Sequence, residues 1–332
     1  MDRFFLKFFS ASAILLGCAA CHKAEPTSEE WPNIFCTIKS IDYISNTTAE
    51  VTGHISCSFP SHILSSPVAP DGLDELGVYY SESATEAETI VKEGVFVPME
   101  YDFNKYGGPT FVRLKGLAPG TVYYCVFSFV RNGVRHDSAV NTFETANRYI
   151  PEGAVDLGMD IMWASCNLGA TAIEESGDLF AWGETESKDS FTEDNYHTPE
   201  WLNEATILPG SYDAASRKLG NGWRMPTRYD FERLSMYDLT RSVDTVNGVA
   251  GFRFANPHTE QSIFLPFVPA KDGETSSEFG EEGDYGAYLS SSLSRKEYPY
   301  FAVFSESGAW NWADYPFKVY YGFAIRPVYE SR

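Results

Sequence analysis

The residues of this sequence that could do chemistry are aromatic rings beside amide and acid side chains, and the chemistry they suit is sugar binding. Residues 310–314 read Trp-Asn-Trp-Ala-Asp, in a stretch whose composition is typical of a loop. Indole rings present flat apolar faces with one polar tip, and the side-chain oxygens of Asn311 and Asp314 are of the kind that hold Ca²⁺. The pattern therefore predicts ligand binding by Trp310, Asn311, Trp312 and Asp314, with Ca²⁺ as a candidate cofactor. The alternative is that both tryptophans are core residues.

No set of residues in the sequence predicts catalysis. The 46 acidic residues could supply carboxylate pairs for glycoside hydrolysis, but no spacing singles one pair out. His197 and His258 lie in different segments without paired metal-ligand spacing, and there is neither a G-x-S-x-G nucleophile motif nor a phosphate-binding glycine loop. We therefore expect a protein that is not an enzyme.

The charge of the chain excludes one class of partner. There are 25 Lys and Arg residues against 46 Asp and Glu, for a net charge of −21. Nucleic-acid binding depends on neutralising phosphates with cationic side chains, so we expect no nucleic-acid partner. Anionic lipid should repel such a chain as well, so attachment to a membrane needs an anchor.

The N-terminal residues supply that anchor. Residues 1–17 combine cationic side chains with an apolar stretch too short to span a bilayer, which is typical of a secretory signal peptide. Residues 15–18, Leu-Leu-Gly-Cys, resemble a bacterial lipobox, which implies cleavage before Cys18 and lipidation of its thiol. Cys21 is a weaker candidate, and an ordinary secretory peptide cut nearby is a further alternative. Residues 18–31 are polar and contain proline, so we interpret them as a lipidated tether.

Length and composition predict two β-rich domains. The roughly 300 residues after the tether exceed one typical hydrophobic core. Aromatic residues make up 15% of the chain, glycine and proline are scattered throughout, and no long stretch has helical periodicity. Trp, Gly and Asp become frequent after about residue 154, so we place the first domain at 32–147 and the second at 154–329.

The first domain has the sequence pattern of a β-sandwich. Residues 34–41 and 49–57 alternate apolar and polar side chains around a Ser-Asn-Thr-Thr turn, which predicts a hairpin. Residues 117–123, Leu-Ala-Pro-Gly-Thr-Val-Tyr, resemble the turn and tyrosine corner of fibronectin type III domains. That resemblance implies that the Tyr123 hydroxyl bonds back to the backbone of the turn. It also implies that the strand face carrying Tyr123 and Cys125 points inward.

The cysteines of this domain leave several arrangements open. If the hairpin turns at 46–47, Cys36 and Cys57 lie opposite each other near its open end, where a cross-strand disulfide could form in an oxidising compartment. A Cys57–Cys125 bridge fits less well, because Cys57 lies late on its strand and Cys125 lies early on a parallel one. The remaining alternative is that all three are reduced and buried.

The second domain contains a sequence that starts a helix. Residues 220–234 read Gly-Asn-Gly-Trp-Arg-Met-Pro-Thr-Arg-Tyr-Asp-Phe-Glu-Arg-Leu. Thr227 followed by Asp230 is a capping pattern, in which the Thr hydroxyl accepts from the amide three residues later and the acid reaches back to the Thr amide. Arg224 should point away from the core, towards a carboxylate or carbonyl groups. We therefore predict a structural strand-to-helix junction made by Trp223, Arg224, Pro226, Thr227 and Asp230.

Three strings of the second domain, taken in order, resemble the Fibrobacter succinogenes major paralogous (FISUMP) domain. They are residues 156–184, residues 219–234, and the pair 283–292 and 322–328. The matching residues are Trp163, Cys166, Asn167, Leu168, Gly169, Trp182, Gly183, Glu184, Trp223, Arg224, Met225, Pro226, Thr227, Arg326 and Pro327. The chain departs from the family pattern at Leu289, where the family often has Trp.

The same junction also resembles the Arg-Leu-Pro-Thr string of formylglycine-generating enzymes, which implies an α+β, C-type-lectin-like fold for residues 154–329. An oxidase of that kind needs redox-active cysteines late in the domain. Cys166, near the domain's start, is the only cysteine after Cys125. The resemblance therefore implies the fold without the thiol chemistry.

Taken together, these patterns predict an outer-membrane lipoprotein of the cell envelope, exposed at the surface, that acts in binding or adhesion. Its expected partner is a polysaccharide or a surface protein. One alternative is a structural component of an envelope assembly without a free ligand. An enzyme with an unrecognised carboxylate site is the third hypothesis.

Overall fold

A computed structural model describes residues 33–58, 73–99, 110–200, 202, 205–276, 285–295, 298–305 and 317–330. The predicted signal peptide, the tether and the predicted ligand-binding loop therefore lie outside the described residues; these include Cys18, Cys21, Trp310, Asn311, Trp312 and Asp314. The described part of the chain is rich in β-strands arranged in several sheets. Within it, no helix is long and apolar enough to cross a membrane.

The N-terminal strands form two sheets. In chain order the elements are β1 (Asn33–Asp42), β2 (Thr48–Ser58), β3 (Leu73–Ser81), α1 (Ala87–Glu93), β4 (Val95–Pro98), β5 (Thr110–Lys115), β6 (Val122–Arg131), β7 (Val134–Asp137) and β8 (Asn141–Glu144). One sheet has the order β1-β2-β5, and the other has the order β4-β3-β6-β7 with β8 also paired to β6. Apolar side chains of both sheets meet in one buried cluster, so the sheets pack face to face as a β-sandwich.

Strand β6 supplies the centre of the sandwich core. Its alternate residues Tyr123, Cys125, Phe127 and Phe129 are all buried, because alternate positions of a strand point to the same face. The predicted inward face is therefore confirmed. Burial raises the pKa of the Cys125 thiol to about 12, so this cysteine packs as a small apolar residue.

The tyrosine corner has the predicted hydrogen bond. The Tyr123 hydroxyl accepts from the Ala118 amide at 2.8 Å and donates to Glu82 Oε1 at 2.8 Å. Burial raises the pKa of Tyr123, and the carboxylate of Glu82 acts in the same direction. The hydroxyl therefore keeps the proton that it donates, and it fixes the turn before β6 to the strand itself.

The β1–β2 hairpin corrects the predicted placement of two cysteines. Its register sets Cys36 opposite Ile55 rather than opposite Cys57, because the turn is centred near residue 46 and a bulge in β1 shifts the pairing further. Diagonal positions on neighbouring strands lie about 7–8 Å apart, whereas a disulfide needs Cβ atoms about 4 Å apart. Cys36 is a free, buried thiol whose Sγ lies 3.5 Å from the Phe127 carbonyl oxygen. The prediction that Cys36 and Cys57 lie opposite each other is wrong for this reason.

Most strands in the described residues of the C-terminal part are short, and two α-helices accompany them. In chain order they are β9 (Ala154–Val155), β10 (Met162–Ala164), β11 (Leu179–Phe180), α2 (Ala214–Leu219), β12 (Trp223–Arg224), α3 (Arg228–Met236), β13 (Thr240–Val246), β14 (Val249–Ala255), β15 (Ser262–Pro266), β16 (Lys271–Asp272), β17 (Thr275–Ser276), β18 (Tyr285–Arg295), β19 (Tyr298–Ser305), β20 (Phe323–Ala324) and β21 (Val328–Tyr329). The described strands pair in the orders β12-β21-β10-β9, β11-β20-β18-β19, β13-β14-β15 and β16-β17. Strand β21 therefore lies between β12 and β10, although it comes last in the chain.

A buried arginine ties the C-terminal strands together. Arg326 has no exposed surface, and its guanidinium donates to the side chain of Asn167 at 2.9 Å and to the carbonyl oxygens of Ala164, Ser165 and Phe264 at 3.1, 2.8 and 2.7 Å. Burial lowers the pKa of Arg326, because the charged form is moved out of water. The hydrogen bonds join the segment after β10, strand β15 and the segment before β21.

The sandwich and the C-terminal part meet through charged and ring contacts. Arg113 on β5 donates to Glu50 Oε1 on β2 at 2.6 Å and to the Pro257 carbonyl at 2.5 Å. His258 Nδ1 lies 3.1 Å from the same carboxylate oxygen, and its ring stacks on Tyr43. Among the described residues, no buried apolar cluster combines side chains from before and after residue 147. The contact between the parts is therefore polar rather than a shared core.

Candidate functional site

The segment that the sequence singles out begins with a tight turn. Helix α2 ends where the Gly220 amide donates to the Ser216 carbonyl at 3.0 Å. Gly220, Asn221 and Gly222 then have φ values of 61°, 46° and 93°. Glycine and asparagine tolerate this left-handed region better than other residues do. The Gly-Asn-Gly string therefore reverses the chain and starts β12.

Strand β12 brings the turn against the end of the chain. It pairs antiparallel with β21, which sets Trp223 opposite Tyr329. The two rings meet edge to face, with centroids 5.5 Å apart. A Cβ atom on Gly222 would lie 2.8 Å from the Tyr329 ring, so glycine is required for this close approach.

The predicted capping box is present at the start of α3. The Thr227 amide donates to Asp230 Oδ2 at 2.7 Å, and the Asp230 amide contacts the Thr227 hydroxyl at 3.3 Å. Arg224 donates to the same carboxylate at 2.7 Å and to the Met225 carbonyl at 3.1 Å, as expected. Pro226 is buried, and Trp223 is half-buried. All five residues of the predicted motif therefore lie at one strand-to-helix junction.

A buried carboxylate, Asp213, stabilises this junction, although the sequence analysis did not single it out. Asp213 caps α2 by accepting from the Ser216 amide at 2.8 Å, and it also accepts from the Met225 amide at 2.9 Å. Burial raises the pKa of Asp213, although the amide hydrogen bonds and the charge of Arg224 act in the opposite direction. Its signal in the sequence was an acid immediately before an Ala-Ala-Ser helix start. Asp213 therefore fixes β12 against α2.

The junction opens onto a cavity that we name the aromatic groove. The cavity has a volume of about 540 Å³. Its wall includes Ser216, Asn221, Trp223, Arg224 and Glu330. The Trp223 ring continues into the ring of Tyr329, which meets Tyr149 edge to face at 6.4 Å. Three rings from separate segments thus form one aromatic row. Trp223 lines the cavity and the other two rings continue the row from it, so we include Tyr149 and Tyr329 in the groove.

The polar groups of the aromatic groove divide into occupied and open ones. Arg224 is occupied, because it also donates to Glu330 Oε2 at 3.0 Å. Although burial opposes it, pairing with Asp230 and Glu330 raises the pKa of Arg224, so this guanidinium stays charged. Open groups are the Trp223 indole N–H, the Asn221 amide, Glu330 Oε1 and the Tyr149 and Tyr329 hydroxyls, none of which has a hydrogen-bond partner among the described residues. The groove can therefore donate to and accept from a ligand.

The position of Tyr149 is set by the segment that connects the sandwich to the C-terminal part. The Asn46 side chain accepts from the Arg148 amide at 3.1 Å and donates to the Arg148 carbonyl at 2.7 Å. The Arg148 guanidinium donates to the Met159 carbonyl at 2.6 Å. The residue before Tyr149 is thus bonded to both the sandwich and the C-terminal part, while Tyr149 itself is 69% exposed.

A second cavity, of about 650 Å³, lies between the sandwich and the C-terminal part. Tyr43, Asp156, Asp238 and His258 contribute to its wall. Its polar groups mostly bind one another: Asp156 pairs with Arg148 at 3.4 Å, and His258 lies between carboxylates at 3.1 and 3.3 Å. Groups that are already paired offer less to a ligand, so we favour the aromatic groove as the functional site.

The residues predicted to bind sugar and Ca²⁺ are Trp310, Asn311, Trp312 and Asp314. They lie outside the described residues, so the structure gives no contact for them. Within the described part of the chain, no group of three His, Cys, Asp or Glu side chains is arranged to hold a metal ion. Sequence reasoning missed Tyr149, Tyr329, Asn221 and Glu330 as site residues. For Tyr149, the signal was a large aromatic side chain in the polar segment between the two predicted domains.

Comparison with known proteins gives only weak matches. No family model matches this chain, and no curated protein matches it. The sensor domain of the anti-sigma factor RsgI4 from Pseudobacteroides cellulosolvens is 15% identical over 35% of this chain and 96% of that one, with a TM-score of 0.24. A fibronectin type III domain from the human KIAA0970 protein is 19% identical over 37% of this chain and 82% of that one, with a TM-score of 0.23. The FISUMP and C-type-lectin-like resemblances of residues 154–329 stay predictions.

Proposed function

We propose that this protein is a lipoprotein of the cell envelope whose C-terminal part binds polysaccharide, while the sandwich acts as a spacer above the membrane. One observation carries the proposal. Three aromatic side chains, Trp223, Tyr329 and Tyr149, form a row that starts with Trp223 at the wall of a cavity, and all three are partly open to solvent. Large aromatic side chains placed at the surface in contact with each other are typical of binding sites.

The rings suit a sugar because a sugar ring has an apolar C–H face. Contact between that face and an aromatic ring removes apolar surface from water on both sides. Trp223 is also held in place by β12 and by Tyr329, so little side-chain entropy is lost when a ligand binds. The row can therefore act as a preformed platform.

The open polar groups suit the hydroxyls of the same ligand. A hydroxyl group donates once and accepts twice, and a hydroxyl buried without a partner costs about 1–3 kcal/mol. The groove offers donors in the Trp223 indole and the Asn221 amide, and an acceptor in Glu330 Oε1. It can therefore replace the water that a sugar loses on binding.

A polysaccharide fits the groove better than a protein partner does. Stable protein interfaces bury about 800 Å² on each side over a broad surface, whereas cavities of about 300–1,000 Å³ are typical of small-molecule sites. The aromatic groove falls within the second range at about 540 Å³. We therefore place polysaccharide binding before protein assembly.

A glycan-array screen of the full-length protein in detergent tests the proposal, with Ca²⁺ in one arm and a chelator in the other. We expect specific glycan binding that Trp223→Ala weakens about tenfold or more. Tyr149→Ala should weaken it too, and this second variant guards against misfolding of the first because Tyr149 is exposed. Tyr229→Ala is the matched control, since Tyr229 is equally exposed, at 69%, but lies on α3 outside the groove. Glycan binding that all three variants retain would place the site elsewhere.

The lipid anchor has a separate test. Cys18→Ala should release the protein from membranes, because lipidation requires that thiol and the acidic chain has no other attraction to anionic lipid. Membrane fractionation of cells that express each variant measures the effect. If the Cys18 variant stays bound and Cys21→Ala is released, the lipidation site is Cys21.

A further inference from the structure

We infer that the aromatic groove selects uncharged polysaccharide in the form of single chains, and excludes both acidic polysaccharides and flat crystalline surfaces. The inference rests on the proposed function. It adds the class of ligand, which is derived from the charges of the groove and from the angles between its rings.

The charges of the groove disfavour an acidic sugar. Arg224 is its cation, and that cation is already paired with Asp230 at 2.7 Å and with Glu330 at 3.0 Å. A carboxylate or sulfate on the ligand would have to displace one of these carboxylates. Glu330 is exposed and its Oε1 is the open acceptor, so it would repel an anion but accept a hydrogen bond from a hydroxyl group.

The overall charge acts in the same direction but more weakly. The chain carries a net charge of −21, which repels polyanions. At physiological salt, charges more than about 8 Å apart are largely screened. Glu330 should therefore decide the selectivity at the site, and the distant acids should contribute little.

The orientation of the rings disfavours a flat surface. The planes of Trp223 and Tyr329 are 65° apart, and those of Tyr329 and Tyr149 are also 65° apart. Three rings that lie side by side on a crystalline face would have to be nearly coplanar. Rings that turn at each step instead follow a chain whose sugar units can rotate about their linkages. The groove is thus shaped for single chains in solution.

Affinity electrophoresis of the full-length protein with matched polymers tests the inference. The pairs share a backbone and differ in charge: hydroxyethyl-cellulose with carboxymethyl-cellulose, and soluble starch with carboxymethyl-starch. Binding to microcrystalline cellulose is measured in parallel by sedimentation. We expect the uncharged polymer of each pair to retard the protein more than its carboxymethyl partner does, with a dissociation constant at least tenfold lower. We expect the protein not to sediment with crystalline cellulose.

The outcomes separate the inference from the function on which it rests. Equal or stronger binding of the carboxymethyl polymers, or sedimentation with crystalline cellulose, overturns the inference and leaves glycan binding intact. No binding by any polymer, together with an empty glycan array, overturns the proposed function and the inference with it.

Two variants locate the charge selection. Glu330→Gln should narrow the difference in affinity between the uncharged and the carboxymethyl polymer of each pair, because it removes the open carboxylate beside the rings. Glu93→Gln is the matched control: it removes the same charge at nearly the same side-chain exposure, 62% against 61%, but Glu93 pairs with Lys92 and is not part of the groove wall. Equal effects of the two variants would mean that the net charge of the chain, and not the groove, sets the selectivity.

Discussion

Two arginines of the C-terminal part hold distant segments together in opposite ways. Arg326 is fully buried, and the groups that it bonds are a side-chain amide oxygen and three carbonyl oxygens. Arg224 is half-buried and bonds the carboxylates of Asp230 and Glu330. Arg326 is therefore not in contact with solvent, whereas Arg224 lies at the wall of a cavity.

The difference separates the structural role from the binding role. Neutral acceptors can satisfy a buried guanidinium without adding a second buried charge, so the Arg326 centre is suited to fixing the strands. Asp230 is buried, but Glu330 is exposed and keeps one carboxylate oxygen open, so the Arg224 site is suited to contact with a ligand. The predictions that follow test this contrast, from the largest expected effect on stability to the smallest.

Arg326→Met should have the largest effect. The substitution keeps an unbranched side chain but removes the donor from three buried acceptors and from the part-buried Ser165 carbonyl, so we expect a loss of about 3 kcal/mol or more in the free energy of unfolding. Denaturant unfolding followed by tryptophan fluorescence measures it. Arg326→Lys keeps the charge and at most three donors, so its free energy of unfolding should lie between those of Arg326→Met and the wild type. A Met variant as stable as the wild type would mean that the cost of burying the cation cancels its hydrogen bonds.

Asp213→Asn tests how a buried charge behaves when its partners are mainly amides. The pKa of Asp213 is raised in the folded protein by burial, so the stability that this group contributes is fully present below its unfolded pKa and is lost as the pH rises through the folded pKa. Asparagine caps helices about as well as aspartate. The stability of Asp213→Asn relative to the wild type should therefore improve between about pH 4 and pH 7, while staying within about 1 kcal/mol at neutral pH. A difference that is constant over this range, or that worsens, contradicts the raised pKa.

The sequence predicted local structure at these sites better than it predicted how the segments meet. The tyrosine corner and the Thr227–Asp230 box are short-range patterns. Spacing identified the box, and the resemblance of residues 117–123 to fibronectin type III domains identified the corner. The pairing of Trp223 with Tyr329 joins segments about a hundred residues apart, and nothing in either segment indicates its partner. The misplaced Cys36 arose in a similar way, because a bulge shifts register without a clear signal in the sequence. The inward face of β6 was predictable because alternate residues of a strand point to the same face, whichever strand it pairs with.

Thr227→Ala removes a smaller contribution, at the edge of the groove. The variant loses the hydroxyl that faces the Asp230 amide, but the Asp230 carboxylate can still accept from the backbone amide of residue 227 and from Arg224. We expect a loss of about 1 kcal/mol, as for other helix caps. Thr227→Ser keeps the hydroxyl and should recover most of it in thermal unfolding. Glycan affinity should change little in either variant, since the side chain is not part of the groove wall.

Tyr149→Ala should have the smallest effect on stability, within about 0.5 kcal/mol, because surface substitutions away from caps and cores cost little. Its backbone path is fixed by the Asn46–Arg148 hydrogen bonds, which the substitution leaves in place. The variant should unfold at the same temperature as Tyr229→Ala and yet lose glycan affinity, which Tyr229→Ala keeps. A parallel loss of stability would show that the Tyr149 ring holds the connecting segment. Unchanged stability and unchanged affinity together would leave the ring without a role and would confine the groove to Trp223 and Tyr329.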